Sequence, residues 1–294
     1  MIKKALVSIG MPVYNEGGFL IKSLQSLLDQ DHQNFEIIIS DNCSTDETQQ
    51  ICLEFAKKDR RIKYYRNDEN VGAIENFRKV IDLASGQYFM LASGHDLWQD
   101  CYISACLQQL DEHPEAVLCY SLIQLIDVND KPLKIIENRF DTRGLSPITS
   151  FNSLLWSLRG GNPIYGIIRT NVLKKVRMVD CMAMDMIFLA ELSLRGAFIQ
   201  IPEPLFHRRV NKESESSAQA IERRDKELFK RQVKQKSPNY HRLRIIYEHL
   251  GVMRRAPLGF VKKTALFMSG IPAVFYIYGG VILEKTGRSL RKRK

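Results

Sequence analysis

The chain lacks most of the short motifs that would assign a function by themselves. Its six cysteines (43, 52, 101, 106, 119 and 181) form no Cys-x-x-Cys pair and no metal-finger spacing. They read as scattered reduced thiols of a cytosolic protein, not as a zinc module or a disulfide framework. There is no GxGxxG after a strand and no GxxxxGK[ST] loop, which argues against a dinucleotide dehydrogenase and a P-loop ATPase. No apolar leader or cleavage site follows Met1, so no secretory signal is expected. Internal repeats and low-complexity blocks are also missing. Carboxylates are scarce in one region only. Residues 1–206 hold 26 Asp and Glu against 21 Lys and Arg, whereas residues 207–294 hold 7 against 22. The net charge of +10 therefore belongs to the tail, which suits an anionic surface near the C-terminus.

What is present describes a globular chain. With 294 residues, 45% hydrophobic and 26% charged, it can bury a large core in one ordinary domain plus an appendage. Apolar runs at 5–11, 35–40, 62–66 and 88–92 predict four buried strands. Helical spacing at 19–28, 47–58 and 74–84 predicts the helices between them, the second capped by Ser44 or Thr45. Strand and helix alternate in this way in a parallel, doubly wound nucleotide-binding arrangement. Further on, helices are expected at 102–110, 151–158 and 185–194, the last amphipathic. Strands are expected at 117–121, 122–128, 164–169 and 198–201, with Asn129-Asp130 as a hairpin turn.

The fourth strand runs into Phe89-Met-Leu-Ala-Ser-Gly-His-Asp-Leu-Trp98, where an apolar run delivers His95 and Asp96 to the carboxyl edge of the sheet. Open α/β sheets bind ligands at that edge. A carboxylate beside an imidazole there suits a divalent metal on a phosphate, and Asp96 could equally cap the next helix.

Five segments in order, Val-Ser-Ile-Gly-Met-Pro-Val-Tyr-Asn-Glu (7–16), Ile-Ile-Ile-Ser-Asp-Asn-Cys-Ser-Thr-Asp (37–46), Asn-Val-Gly-Ala-Ile-Glu-Asn-Phe (70–77), the His-Asp edge and Asp-Met-Ile-Phe-Leu-Ala-Glu-Leu-Ser-Leu-Arg-Gly (185–196), give the chain its identity. Together they resemble the inverting family-2 glycosyltransferases of bacterial cell-surface polysaccharide synthesis, over roughly residues 5–217. The resemblance implies a GT-A fold, a Rossmann-like mixed sheet flanked by helices. The catalytic domain would cover 1–210, with a nucleotide-sugar half at about 1–100 and an acceptor half at about 101–210. It implies that Pro12, Tyr14 and Glu16 floor the nucleotide site and that Asp41 binds base or ribose. Glu16 and Asp41 also read as a loop anchor and a helix-flanking carboxylate.

The family usually carries Asp-x-Asp or Asp-x-Asp-Asp here, and this chain departs from it. Ser93 and His95 stand where aspartates are expected, leaving Asp96 and His95 as the expected metal pair, for Mn2+ or Mg2+. A manganese site, weak metal dependence and lost activity all remain open. Asp185 matches the position of the family's general base, although a helix N-terminus favours a carboxylate anyway. Glu191 points elsewhere on the same helix. The loop 160–165 is expected to wall the acceptor side. His207 is weighed as a metal or phosphate ligand, and Arg208 and Arg209 either neutralise a diphosphate or form a solvated face.

The tail 211–294 is basic and helical in pattern, with spacing in Ile221, Leu228, Phe229 and Val233. Residues 264–283 carry no charge and are long enough to span a bilayer, at about 1.5 Å per residue. Pro272 and three glycines interrupt them, and basic residues flank both ends, which favours a bent hairpin or an interfacial helix on the inner leaflet. A helix buried on the domain or on a second subunit is the alternative. The expected partners are a nucleotide-diphospho-sugar, a glycan or lipid-linked acceptor and the cytoplasmic membrane surface, with self-association left open and no nucleic acid. A nucleotidyltransferase and a non-catalytic sugar-nucleotide binder or scaffold are the competing readings.

Overall fold

The computed structural model of the chain describes residues 5–137, 139–158, 160–210 and 238–291. β1 (Val7–Val13), β2 (Phe35–Asp41), β3 (Ile62–Arg66) and β4 (Tyr88–Leu91) pair in parallel in the order β3-β2-β1-β4. β1, β2 and β4 are covered on both faces, which is why they read as unbroken apolar runs. The crossovers are α1 (Gly17–Leu28), α2 (Thr48–Lys58) and α3 (Ala73–Asp82). At the N-terminal edge Ser8 and Glu36 lie in register. The Glu36 carboxylate accepts from Ser8 (2.5 Å), Lys63 (2.6 Å), and the hydroxyl (2.7 Å) and amide (3.0 Å) of Ser85. Burial pushes its carboxyl up, but these donors, Lys63 first, outweigh burial and hold it at about 2. The knot fastens three strands and the turn before the fourth, and leaves the C-terminal edge to loops.

The sheet then becomes mixed. β5 (Leu97–Trp98), α4 (Tyr102–Glu112), β6 (Ala116–Ile126), β7 (Pro132–Ile136), α5 (Pro147–Ser157), a 3-10 turn (Asn162–Tyr165), β8 (Ile167–Arg169), α6 (Thr170–Leu173), α7 (Met184–Ser193) and β9 (Ala197–Arg209) follow. Strand order continues β4-β8-β6-β9-β5, with β7 hairpinned on β6. β8 runs antiparallel to β4 and β6, while β9 runs parallel to β6.

Several sequence expectations need correction. The two strands expected at 117–121 and 122–128 are one, and their apparent break is a register shift between Ser121 and Ile123 opposite β9. The 3-10 turn takes up the start of the strand expected at 164–169. The short final strand is the 13-residue β9. Ser44 and Thr45 do not cap α2. The Asp46 carboxylate accepts from the Thr48 amide instead (3.0 Å). α7 is not amphipathic, because eight of its ten residues are buried between the sheet and the tail helices.

Those tail helices are α8 (Pro238–Arg255) and α9 (Phe260–Arg291). Val252, Met253, Leu266, Ala273 and Val274 join one core with Phe151 and Phe188. Arg255 pairs with the buried Glu191 (2.7 Å), so Glu191 is a structural carboxylate. Residues 238–278 thus complete the core of the preceding domain. No hairpin forms, since α9 continues through Pro272. Residues 211–237, with the pattern expected around Ile221 to Val233, lie outside the described residues.

Candidate active site at the sheet edge

The chain leaves β1 through Asn15, whose left-handed backbone (φ 55°) turns the strand into α1. Four hydrogen bonds then join this loop to the one after β2. The Asn15 amide donates to Ser44 Oγ (3.0 Å), and the Thr45 amide donates to Asn15 Oδ1 (2.8 Å). The Glu16 amide donates to Thr48 Oγ1 (2.9 Å), and the Gly17 amide to Asp46 Oδ2 (3.0 Å). Pro12 remains within β1 opposite Ser40, and Tyr14 stands at the rim, 38% exposed. Asp41 ends β2 fully buried and accepts from the Ser44 amide (2.8 Å) and hydroxyl (2.6 Å), Tyr64 (2.7 Å) and Arg66 (2.7 Å). It is an anchor that aims Arg66, whose other nitrogen donates to the Ser44 carbonyl (3.0 Å). A second set of polar residues, Asn42, Asn67 and Asn76, fixes the turn at 70–72 through Asn70 and the Val71 amide.

Glu16 reaches across the sheet edge to His95, with its carboxylate 3.0 Å from Nδ1. The close approach needs Gly94, because a Cβ there would lie 2.9 Å from the Glu16 side chain. Burial pushes the His95 imidazole down, but Glu16, and then Asp96, outweigh it and hold the group up at about 9. Asp96, 2% exposed, accepts from Ser93 Oγ (2.5 Å) and from the Arg209 amide (2.8 Å). Arg209 in turn donates to the carbonyls of His95 (2.8 Å) and Asp127 (2.9 Å) and lies over the Phe19 ring. Asp96 therefore welds the fourth-strand motif to the end of β9, beside the β5–β9 pairing. Each of its oxygens accepts one of these bonds and keeps a second lone pair, and Oδ1 lies 4.0 Å from His95 Nε2.

β9 alternates its side chains, so Arg208 faces away from Arg209. Arg208 donates to Asn162 Oδ1 (3.2 Å), and its charge is felt by both His95 and Tyr165. His207 pairs with Gln99 (3.1 Å) next to Leu97, apart from that group. Tyr165 ends the 3-10 turn that Asn162 begins, with its ring 5.4 Å from that of Phe206. Burial raises its hydroxyl first, and Asp96, Arg208, Asp185 and Glu16 all act on it electrostatically.

Asp185 enters from the acceptor half. α7 starts at Ala183 with a left-handed backbone (φ 62°), and the Met186 amide donates to Asp185 Oδ1 (2.8 Å). Its other oxygen lies so close to Gly161 that a Cβ there would sit 1.8 Å from Oδ2. The expected acceptor loop is thus packed directly on the expected base. Sequence reasoning placed Asn162 and Tyr165 only as part of the expected acceptor loop and missed the Glu16–His95 contact, because their relations are set by tertiary approach. The family pattern names the glutamate and the histidine without joining them.

The donor set bears on the implied metal. Among the described residues, no three His, Cys, Asp or Glu groups converge on one point. Glu16 and His95 offer one carboxylate and one imidazole at the open edge, and the imidazole must first lose its proton. That pair fits an ion shared with a diphosphate, manganese better than magnesium, which prefers oxygen ligands.

A curled mixed sheet with its site where β1, β2 and β4 end, flanked by helices, defines the GT-A class of fold. Residues 8–177 match the model of glycosyl transferase family 2, and the chain belongs to that family. It is 32% identical over 107 residues to the glycosyltransferase GlyG of Streptococcus pneumoniae, covering 36% of each chain. It is 38% identical over 96 residues to the putative teichuronic acid biosynthesis glycosyltransferase TuaG of Bacillus subtilis, covering 33% of this chain and 38% of that one. The chain thus spans little more than a third of the length of these relatives. S. aureus TarS 1-349, solved in complex with UDP-GlcNAc, has the same fold, with a TM-score of 0.66 at 18% identity over 92% of this chain and 72% of that one.

Proposed function

We propose that the chain moves a sugar from a nucleotide-diphospho-sugar to a glycan or lipid-linked acceptor, with inversion, in cell-surface polysaccharide synthesis at the cytoplasmic face of the membrane. The observation that carries this reading is that Asp185 packs on Gly161 while Arg208 donates to Asn162, the next residue of the same loop, at the edge where Glu16 meets His95. The family match, the teichuronic acid role of TuaG and the UDP-GlcNAc bound by TarS support the donor and pathway class.

In this reading the linked loops after β1 and β2, with Tyr14 at the rim and Arg66 behind them, receive the nucleoside. Arg208 and His95 lie where charge develops on the leaving diphosphate, and fixed cations there stabilise the transition state more than the bound donor. A divalent ion held by Glu16 and His95 would add charge neutralisation on the same oxygens. Asp185 Oδ2 takes the acceptor hydroxyl's proton, while the Met186 amide holds Oδ1 in place. With Oδ1 held by the amide, the base acts through its position.

The test is a panel of UDP-, GDP- and dTDP-sugars incubated with the full chain, Mn2+ and lipid-linked or soluble glycan acceptors. Acceptor-dependent nucleotide release from one donor, lost in Asp185→Asn, is expected. A folded chain that binds a sugar nucleotide but neither transfers nor hydrolyses it would make the protein a non-catalytic binder.

A further inference from the structure

α9 is apolar on two sides. Its inward residues Leu266, Ala273 and Val274 are buried with α5 and α8 in the domain core. Around the helix, Val261, Met268, Phe275 and Tyr276 repeat at helical spacing and stand in solvent, Met268 being 75% and Tyr276 73% exposed. Trp156 of α5 extends this strip by a ring contact with Tyr276 (5.3 Å). An exposed apolar strip on a helix already packed on its other side calls for a covering medium.

The charges around it identify the medium. Residues 249–283 hold four cations and no carboxylate, and residues 288–294 add five more cations. Arg255 is committed to Glu191, whereas Arg254 and Lys262 are exposed. Two copies set strip to strip would bring these like charges together, whereas an anionic lipid surface neutralises them. Length and hydropathy over Phe260–Tyr278 would permit a span of about 28 Å. A span would, however, strip Leu266, Ala273 and Val274 from the core they complete.

We infer that α9 lies in the plane of an anionic bilayer surface. Its outward strip, with Trp156, sits at the headgroup–acyl boundary, and Lys262 and Arg254 engage lipid phosphates. The surface does not depend on the reaction proposed above.

Flotation of the full chain with phosphatidylcholine vesicles, with and without phosphatidylglycerol, tests it. Binding is expected to anionic vesicles and to weaken with salt. Met268→Glu with Phe275→Glu, both in the exposed strip, should lower partitioning at least about tenfold. Lys262→Gln should lower it about fivefold on anionic vesicles alone. Thermal melts check that each variant is folded. Three results would overturn the inference: no binding to anionic vesicles, binding untouched by both variants, or a dimer by light scattering that the double variant dissociates. The last would assign the strip to a second copy.

Discussion

Replacing Gly161 by alanine tests the placement of the candidate base with a single methyl group. The Gly161 backbone (φ −83°, ψ 13°) suits alanine, so the substitution imposes no conformational strain. Its Cβ would lie 1.8 Å from Asp185 Oδ2 and 2.4 Å from Cγ. Unbonded heavy atoms settle near 3.5 Å, so the carboxylate or the loop must give way by roughly 1.7 Å. A displacement of about 1 Å can cost a hundredfold in rate, so kcat should fall about a hundredfold, about 2.7 kcal/mol in the barrier. Donor affinity should hold, because the nucleotide loops lie in the other half of the sheet. Adding Asp185→Asn to Gly161→Ala should then cost much less than it does alone, since both remove one function. The assay is transfer kinetics with one donor and acceptor, alongside calorimetric donor affinity and Tm. A kcat within twofold of wild type would refute the reasoning, as would a loss traced wholly to donor binding or unfolding.

Three further outcomes follow from the same geometry. Asp185→Asn should lower kcat by about a thousandfold with donor affinity kept, read by steady-state transfer and calorimetry. Arg208→Gln should weaken a nucleoside diphosphate by about 1.5–3 kcal/mol while leaving the free nucleoside unaffected, as seen in paired titrations. Glu36→Gln should cost about 2–3 kcal/mol of stability at neutral pH by denaturant melts. Glu36 is depressed from 4.5 to about 2 on folding, so its contribution is present above 4.5 and disappears as pH falls towards 2. The gap between wild type and Glu36→Gln should close over that window, and a gap that widens there would contradict the assignment.

The parallel half was legible because β1, β2 and β4 are buried on both faces, and burial writes itself as continuous apolar runs. β6 was less so. Its shift at 121–123 is fixed by β9, about eighty residues away, and leaves only an ambiguous run in the local pattern. The tail misled for a related reason. α7 is apolar on nearly every side because α5 and α8 cover it, and Pro272 did not break a helix whose neighbours hold it. At the site, motif order located Glu16, His95, Asp96 and Asp185 but not their relations. Asp96 was weighed as a ligand or a cap, and nothing local signalled its bond to the Arg209 amide, a partner 113 residues distant. Arg208 and Arg209 were indistinguishable until strand register sent one towards Asn162 and the other over the Phe19 ring.

The central claim is that the edge shared by Glu16, His95 and Arg208 binds a nucleoside diphosphate. Calorimetric titration of the full chain with UDP, GDP and dTDP in the presence of Mn2+ tests it most directly. The account predicts binding of one of them, lost in His95→Ala, weakened in Arg208→Gln and kept in Asp185→Asn. Failure of all three to bind the folded chain, or binding indifferent to His95 and Arg208, would contradict it.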